Sequence, residues 1–494
     1  MKTHWIIQLV IWLLAPLSTL SLAQMIDLKP PAMGYLSLVL DSETTGLNLY
    51  DFGSNPAWLI NDQSRGWFSV SSLAKSEAGK FRRRYDPEKF FDFSAGFEGV
   101  KILDQNQAFW GAANYHAFSL TRVSHAINRT PYDEHPFRAT DETEGNFDYW
   151  GPSVIAQYSR QLVMGKLYWG ASLGYRIETG LKDQFPQPRI IDREVITSTG
   201  FAWRIFDPLI VGILLQYDDA QEFIEAQSSS QLEQRTIVIT LFRGETIGVK
   251  RLGMFEQFTN RRNFGSQLQL HFRRTELGES IMSLGCRLQR LEIFESSVRP
   301  VLNAKWNNHS LELHWKNRMN LFTMPLQLGW SFDYDYSNDW AVHPDFDLLW
   351  GDDYSNQYQV GVGLAFSSPS SPLFFGIEYQ IDQIHHEKND YISRLFAAGK
   401  IKSRELRCGT EFTFFNRWKI RAGYTYQLNL MPGSLLSFSE FLPEHHRYRM
   451  TFGLANHFKQ VAIELAAFYG CLQAEHQNRH SFFTLINAKI YRGQ

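Results

Sequence analysis

Histidines beside carboxylates are the first residues of this chain that could do chemistry. His385-His386 precede Glu387, and Glu444 precedes His445-His446; imidazole with carboxylate suits a transition metal. Adjacent residues on an extended loop point apart, and neither pair has a third ligand at fixed spacing, so solvated loop histidines are the simpler reading. The stretch from Asp333 to Asp353 carries Asp335, Asp339, Asp345, Asp347 and Asp352 among Tyr334, Tyr336, Trp340 and Trp350, with Tyr354 just beyond. Carboxylates suit calcium, and acids with aromatics suit a sugar, but the spacing is not that of an EF-hand loop. A hydrated loop over a girdle of aromatics is the better expectation. His116, His271 and His314 could serve a hydrolase, which also needs a nucleophile within reach of a positioned base. None of the three stands in such a motif, and no enzyme, metal or cofactor is expected.

The elements that hold these residues declare themselves by a two-residue hydrophobic rhythm. Phe375, Ile377, Tyr379 and Ile381 alternate with Gly376, Glu378, Gln380 and Asp382; Leu406, Cys408, Thr410, Phe412 and Phe414 alternate with Arg407, Gly409, Glu411 and Thr413. Ile420, Ala422, Tyr424 and Tyr426 likewise oppose Lys419, Arg421, Gly423 and Gln427, and Phe91, Phe93, Ala95 and Phe97 oppose Asp92, Ser94, Gly96 and Glu98. Successive side chains of a strand point to opposite sides, so each segment is a strand with one apolar and one polar face. An apolar outside around a charged inside is what a transmembrane β-barrel requires. A soluble sandwich alternates too, with its apolar side inward. Three features favour the barrel: an export leader, aromatics at segment ends, and connections that alternate between short and long.

The leader is read from Lys2 and His4, an apolar run from Trp5 to Leu22, and small residues around Ser21-Leu22-Ala23 that suit cleavage before Gln24. Aromatics make up 15% of the chain, 38 Phe, 21 Tyr and 14 Trp, enough to supply girdles at both rims. Mean hydropathy is −0.30, and after the leader no run approaches the ~18 apolar residues of a membrane helix. Charge is close to balance, with 49 basic against 51 acidic residues, which leaves no nucleic-acid footprint. Cys286, Cys408 and Cys471 are odd in number and far apart; free cysteines are expected.

The chain divides into a signal peptide (1–23), an N-terminal segment that does not alternate (24–65) and a barrel (66–494). Both ends of such a barrel lie on the periplasmic side, so the strand number is even; the pattern gives about 18, with 14 as the alternative. Strands are expected at 301–306 and 309–316 around an Asn307-Asn308 turn, while charges blur the period between 234 and 300. The longest loops are expected at 121–149, 334–356, 383–403 and 429–446, on the extracellular side.

Just ahead of the first strand stands Asn55-Pro56-Ala57-Trp58-Leu59. Asn is a good helix N-cap and Pro fits a first helical turn. The stretch resembles the Asn-Pro-Ala-Gly-Leu segment of FadL-type outer-membrane transporters of hydrophobic compounds, with Trp58 in place of the usual glycine. The resemblance covers residues 40–70 and general architecture; FadL-type barrels have fewer strands, and uncharacterised outer-membrane barrel families with the same N-terminal signature resemble the chain equally. It implies a hatch inside the barrel, with Asn55, Pro56 and Trp58 as hatch residues.

The expectation is therefore an integral protein of a Gram-negative outer membrane, an all-β, closed antiparallel barrel with a plug-like N-terminal segment that passes a small molecule inward. Glu98, Glu378, Arg407, Glu411 and Arg421 would face the lumen and set its polarity. Its partners would be outer-membrane lipid, the barrel assembly machinery and an unidentified small molecule. The alternative is a non-transporting barrel that scaffolds a secretion or surface-binding complex.

Overall fold

In the computed structural model, the described residues are 55–491 apart from 63–65, 125, 133–134, 142, 228–237, 244, 251–253, 275–277, 297–298, 322–324, 368–371, 416, 439–440, 459 and 475–476. The expected leader, and residues 24–54 of the expected plug, lie outside them.

Eighteen strands form one antiparallel sheet. They are β1 (Trp67–Gly79), β2 (Lys89–Asp104), β3 (Gln107–Val123), β5 (Gly145–Val163), β6 (Leu167–Lys182), β7 (Arg189–Phe206), β8 (Leu209–Gln227), β11 (Met254–Arg274), β12 (Gly278–Glu295), β13 (Val301–Asn320), β14 (Leu326–Val342), β15 (Leu349–Ser367), β16 (Leu373–Asp390), β17 (Leu395–Phe414), β18 (Trp418–Leu430), β19 (His445–Phe458), β20 (Val461–Ala474) and β21 (Gln477–Tyr491). Three short strands, β4 (Phe137–Thr140), β9 (Val238–Phe242) and β10 (Glu245–Lys250), make a separate sheet.

The large sheet closes on itself. β1 pairs with β2 on one side and with β21 on the other, from Trp67↔Tyr491 to Gly79↔Arg479. Closure leaves no strand edge without partners, the condition for strands to cross a bilayer. The number is even, as expected, so β1 begins and β21 ends at one rim. Most of the tight connections lie at that rim, hereafter the turn end. At Asp104–Gln107 the Asp104 carboxylate accepts from the Asn106 amide at 2.7 Å, an Asx turn. Between β5 and β6 the chain reverses at Gly165, whose φ of +67° is the left-handed region a side chain disfavours.

Alternation sets the two faces. In β16, Phe375, Ile377, Tyr379 and Ile381 are 39–47% exposed, whereas Glu378 between them is 2% exposed. The same outward apolar series recurs in Phe452 and Leu454 of β19, Leu465 of β20 and Ile490 of β21. An apolar surface that continues from strand to strand far exceeds what a water-soluble monomer exposes, and marks contact with lipid or protein. Among the described residues no helix is long and apolar enough to cross a membrane.

The strands are longer than the hydrophobic period indicates. β13 runs unbroken through Asn307-Asn308, so the expected turn there is absent, and the blurred 234–300 region contributes two full strands, β11 and β12. Expected loops 334–356 and 383–403 are mostly strand: β14 and β15 leave only 343–348 between them, and β16 and β17 only 391–394. Connection 431–444 remains a loop, with a 3-10 turn at Gly433–Ser437. His385 and His386 are therefore ladder residues, paired with Lys400 and Gly399.

Candidate functional site

The Asn55 stretch sits inside the barrel near the turn end. Asn55 caps a 3-10 turn at Pro56–Trp58, its Oδ1 accepting from the Ala57 amide at 3.1 Å. Its Nδ2 donates to Gln269 Oε1 of β11 at 2.9 Å and to the carbonyls of Phe201 (β7) and Ile213 (β8) at 3.3 Å. Ser159 and Gln157 of β5 donate to the Ala57 and Pro56 carbonyls. A seat exists because the wall is notched: a Cβ on Gly170 would overlap the Pro56 carbonyl, and one on Gly200 the Asn55 side chain. Trp58 packs edge-on against Tyr168 at 5.9 Å and His271 at 6.1 Å, and His271 is bound in turn to Glu279 at 2.9 Å. A glycine at 58 would leave that pocket empty. The three expected hatch residues are thus brought together on the wall of β5–β8 and β11.

The expected lumen charges point inward but are not free. Glu378 faces Arg407 across the β16–β17 ladder at 3.8 Å, and Arg407 also binds Glu405 at 2.9 Å. Arg421 lies between Glu411, at 2.7 Å, and Glu464 of β20. Glu98 stands apart, accepting from Trp110 beside Lys489, which lies 3.8 Å over the Trp67 ring. Glu405, two residues before Arg407 on the same face of β17, is a local contact, whereas Glu464 meets Arg421 through the register of β18, β19 and β20, which the sequence does not show.

The opposite rim, the loop end, is built up inside. β4 and β9 pair from Phe137↔Phe242 to Thr140↔Ile239, and β10 follows β9. One side of this small sheet and the segment before it bury Ile127, Ala139 and Val238 against Phe118, Tyr149, Ile190 and Ile224 of the wall. The other side buries Phe137 and Phe242 against Leu291, Ile293, Trp306 and Ala341, with Trp350 edge-on to Phe137. Ion pairs fasten both ends. Arg129 binds Glu178, with Nη2 2.7 Å from Oε1, and Glu178 also takes His116 and Arg176. Lys182 binds Asp141, while Arg243 binds Asp353, which Lys388 approaches at 2.6 Å. The 3-10 turn of the 431–444 connection docks Leu435 and Phe438 on Ala397 of β17. Together these segments cap the loop end. The sequence gives no period for them, because their partners come from strands far away in the chain.

Beneath the cap lies a cavity of about 410 Å³. Tyr132, His135, Arg138 and Arg243 of the cap face Arg287, Asn308, Glu312, Asp335, Asp339, Ser355, Gln357 and Lys388 of β12–β16 across it. Its walls mix both signs of charge with amides and hydroxyls. Burial pushes the pKa of the Tyr132 phenol well above its ordinary value, and the phenol oxygen accepts from the Tyr85 amide at 2.7 Å.

A family model described as a family of unknown function, DUF6850, matches residues 56–485. The chain belongs to the DUF6850 family. The match opens at Pro56 of the wall-bound turn and ends in β21, so it takes in the anchor, the barrel and the cap of this DUF6850 chain. No curated protein matches the chain. Among solved structures, it is similar to the toluene transporter TodX of Pseudomonas putida, at 13% identity over 97% of this chain and 99% of that one, with a TM-score of 0.35. It is also similar to the siderophore receptor PiuA of Acinetobacter baumannii, at 8% identity over 86% and 82% of the two chains, with a TM-score of 0.44. The unliganded ferric citrate transporter FecA matches at 8% identity over 87% and 79%, also with a TM-score of 0.44. For this DUF6850 chain, fold and site rest on its own geometry.

Proposed function

We propose that this protein is an integral outer-membrane barrel, exported by its leader and inserted by the barrel assembly machinery, that admits a small polar solute through a gated lumen. The loop end faces outward and the turn end faces the periplasm. The observation that carries this reading is the cavity of about 410 Å³ between cap and wall. Pockets of several hundred Å³ with convergent polar groups are where small ligands are held, and this one lies between the cap and the inner wall of β12–β16. Solute would enter when the cap parts from the wall, rest against the mixed charges, then pass the ion pairs of Glu378, Arg407, Glu411 and Arg421 and the Asn55–Trp58 turn. The proposal involves no bond-making step.

A scaffold reading draws support from Phe346, Leu348 and Phe396, which are strongly exposed at the loop end and form an apolar rim that a partner could cover. Solute uptake by proteoliposomes separates the two. Protein in which residues 128–141 are replaced by a short Gly-Ser linker should fold, because the ladder closes without them, and should swell liposomes in sugar or amino-acid solutions faster than the intact protein. Equal, negligible swelling by both folded proteins would favour the scaffold.

A further inference from the structure

We propose that the inner wall of β13 and β14 holds a site for a divalent first-row transition-metal ion, ligated by His314, Glu312 and Asp335, with Asp333 orienting the imidazole. Glu312 and His314 are alternate inward residues of β13, and Asp333 and Asp335 are alternate inward residues of β14. The ladder sets them opposite one another, His314↔Asp333 and Glu312↔Asp335. One potential ligand atom from each of Glu312, His314 and Asp335 lies within 4.8 Å of the other two.

The arrangement is more specific than a cluster of acids. Asp333 Oδ1 lies 2.9 Å from His314 Nδ1, and because a carboxylate only accepts, Nδ1 carries the proton. Asp333 is itself held through Oδ2, which accepts from Gln359 at 3.1 Å. A carboxylate on one imidazole nitrogen, fixed from behind, is the support that metal-ligating histidines use to present the other nitrogen. That nitrogen, Nε2, stands 3.8 Å from Glu312 Oε2 and 4.0 Å from Asp335 Oδ1. Ligands about 2.0–2.1 Å from a tetrahedral zinc are about 3.3 Å apart, so the imidazole nitrogen has to come about 0.5–0.7 Å nearer to each of the two carboxylate oxygens. Mixed imidazole and carboxylate donors suit zinc, manganese or iron better than calcium. Glu312 and Asp335 also line the cavity under the cap, which gives an ion access and leaves coordination positions open to it. The nearest cation, Arg287, sits 3.4 Å from the other oxygen of Glu312 and leaves Oε2 for the metal. This site stands whether or not solute crosses the barrel.

The test is calorimetric titration of the full-length, detergent-solubilised protein with Zn²⁺, after treatment with chelator, together with the visible spectrum of the Co²⁺ form. One Zn²⁺ should bind per chain, and Co²⁺ should give the intense visible absorption of low coordination. Glu312→Gln with Asp335→Asn should abolish binding, and Asp333→Asn should weaken it by about 10–100-fold, the usual effect of removing an orienting partner. His385→Ala, which removes a different His–Glu contact at 3.0 Å, should change nothing. Each variant is checked for its heat-modifiable gel shift, so that loss of binding is read only from folded barrels. The assignment is overturned if the wild type binds no Zn²⁺, or if the double variant binds as the wild type does; in either case the four residues are an ordinary ion-pair cluster.

Discussion

Lys182, the last residue of β6, places its Nζ 2.7 Å from both carboxylate oxygens of Asp141 and 2.7 Å from the Thr143 carbonyl, with Lys182 and Asp141 both out of contact with solvent. The cap is thereby fastened to the wall by a buried charge pair. Removing one member of such a pair leaves the other uncompensated at a cost of about 3–5 kcal/mol, whereas replacing both with apolar residues is far milder.

Lys182→Met should therefore loosen the cap while the barrel stays closed, because no ladder bond passes through the side chain. Single-channel conductance in planar bilayers should rise in Lys182→Met and fall back toward the intact level in Lys182→Met with Asp141→Leu. A single variant as silent as the wild type would show that this latch does not hold the cap shut.

The wall-bound turn at Asn55 gives a second expectation. Asn55→Ala removes the cap on the Ala57 amide and three wall contacts; the N-cap alone contributes about 0.5–2 kcal/mol. Gly170→Val fills the notch from the other side, against the Pro56 carbonyl. In hydrogen-exchange mass spectrometry, peptides covering Ala57 and Trp58 should lose protection in both variants while those from β16–β18 keep theirs. Unchanged exchange at Ala57 and Trp58 would mean that the segment is held elsewhere.

Facing can be tested by charge. A Lys or Arg on the lipid side near the middle of a bilayer costs on the order of 2–4 kcal/mol, and lumen changes cost less. Ile377→Arg and Leu406→Arg, on outward positions further from the rim, should impair assembly into outer-membrane vesicles. Glu378→Gln and Glu411→Gln, which keep a hydrogen-bonding group beside Arg407 and Arg421, should assemble nearly as the wild type. Similar yields from the two pairs would contradict the assigned register.

By itself, the sequence determined which way the barrel wall faces and roughly how many strands it has. Alternation at Phe375 to Ile381 or Leu406 to Phe414 reports the two faces directly, because a strand's side chains have a period of two. Asn55-Pro56 also reads locally, since capping is a contact between neighbours. Strand ends were illegible for a physical reason. Toward the loop end both faces turn polar, as in Gln383, His385, His386, Glu387 and Lys388 of β16, so the hydrophobic period fades while the ladder continues, and stretches that look like long loops are strand.

Only the tertiary structure decided the cap and the cross-strand groups. Arg129 meets Glu178 and Arg243 meets Asp353 over separations in sequence that no local pattern encodes. His314 meets Asp333 because the β13–β14 connection sets one register out of several, and a slip of one residue between the two strands would put the members from one strand on the opposite face from those of the other.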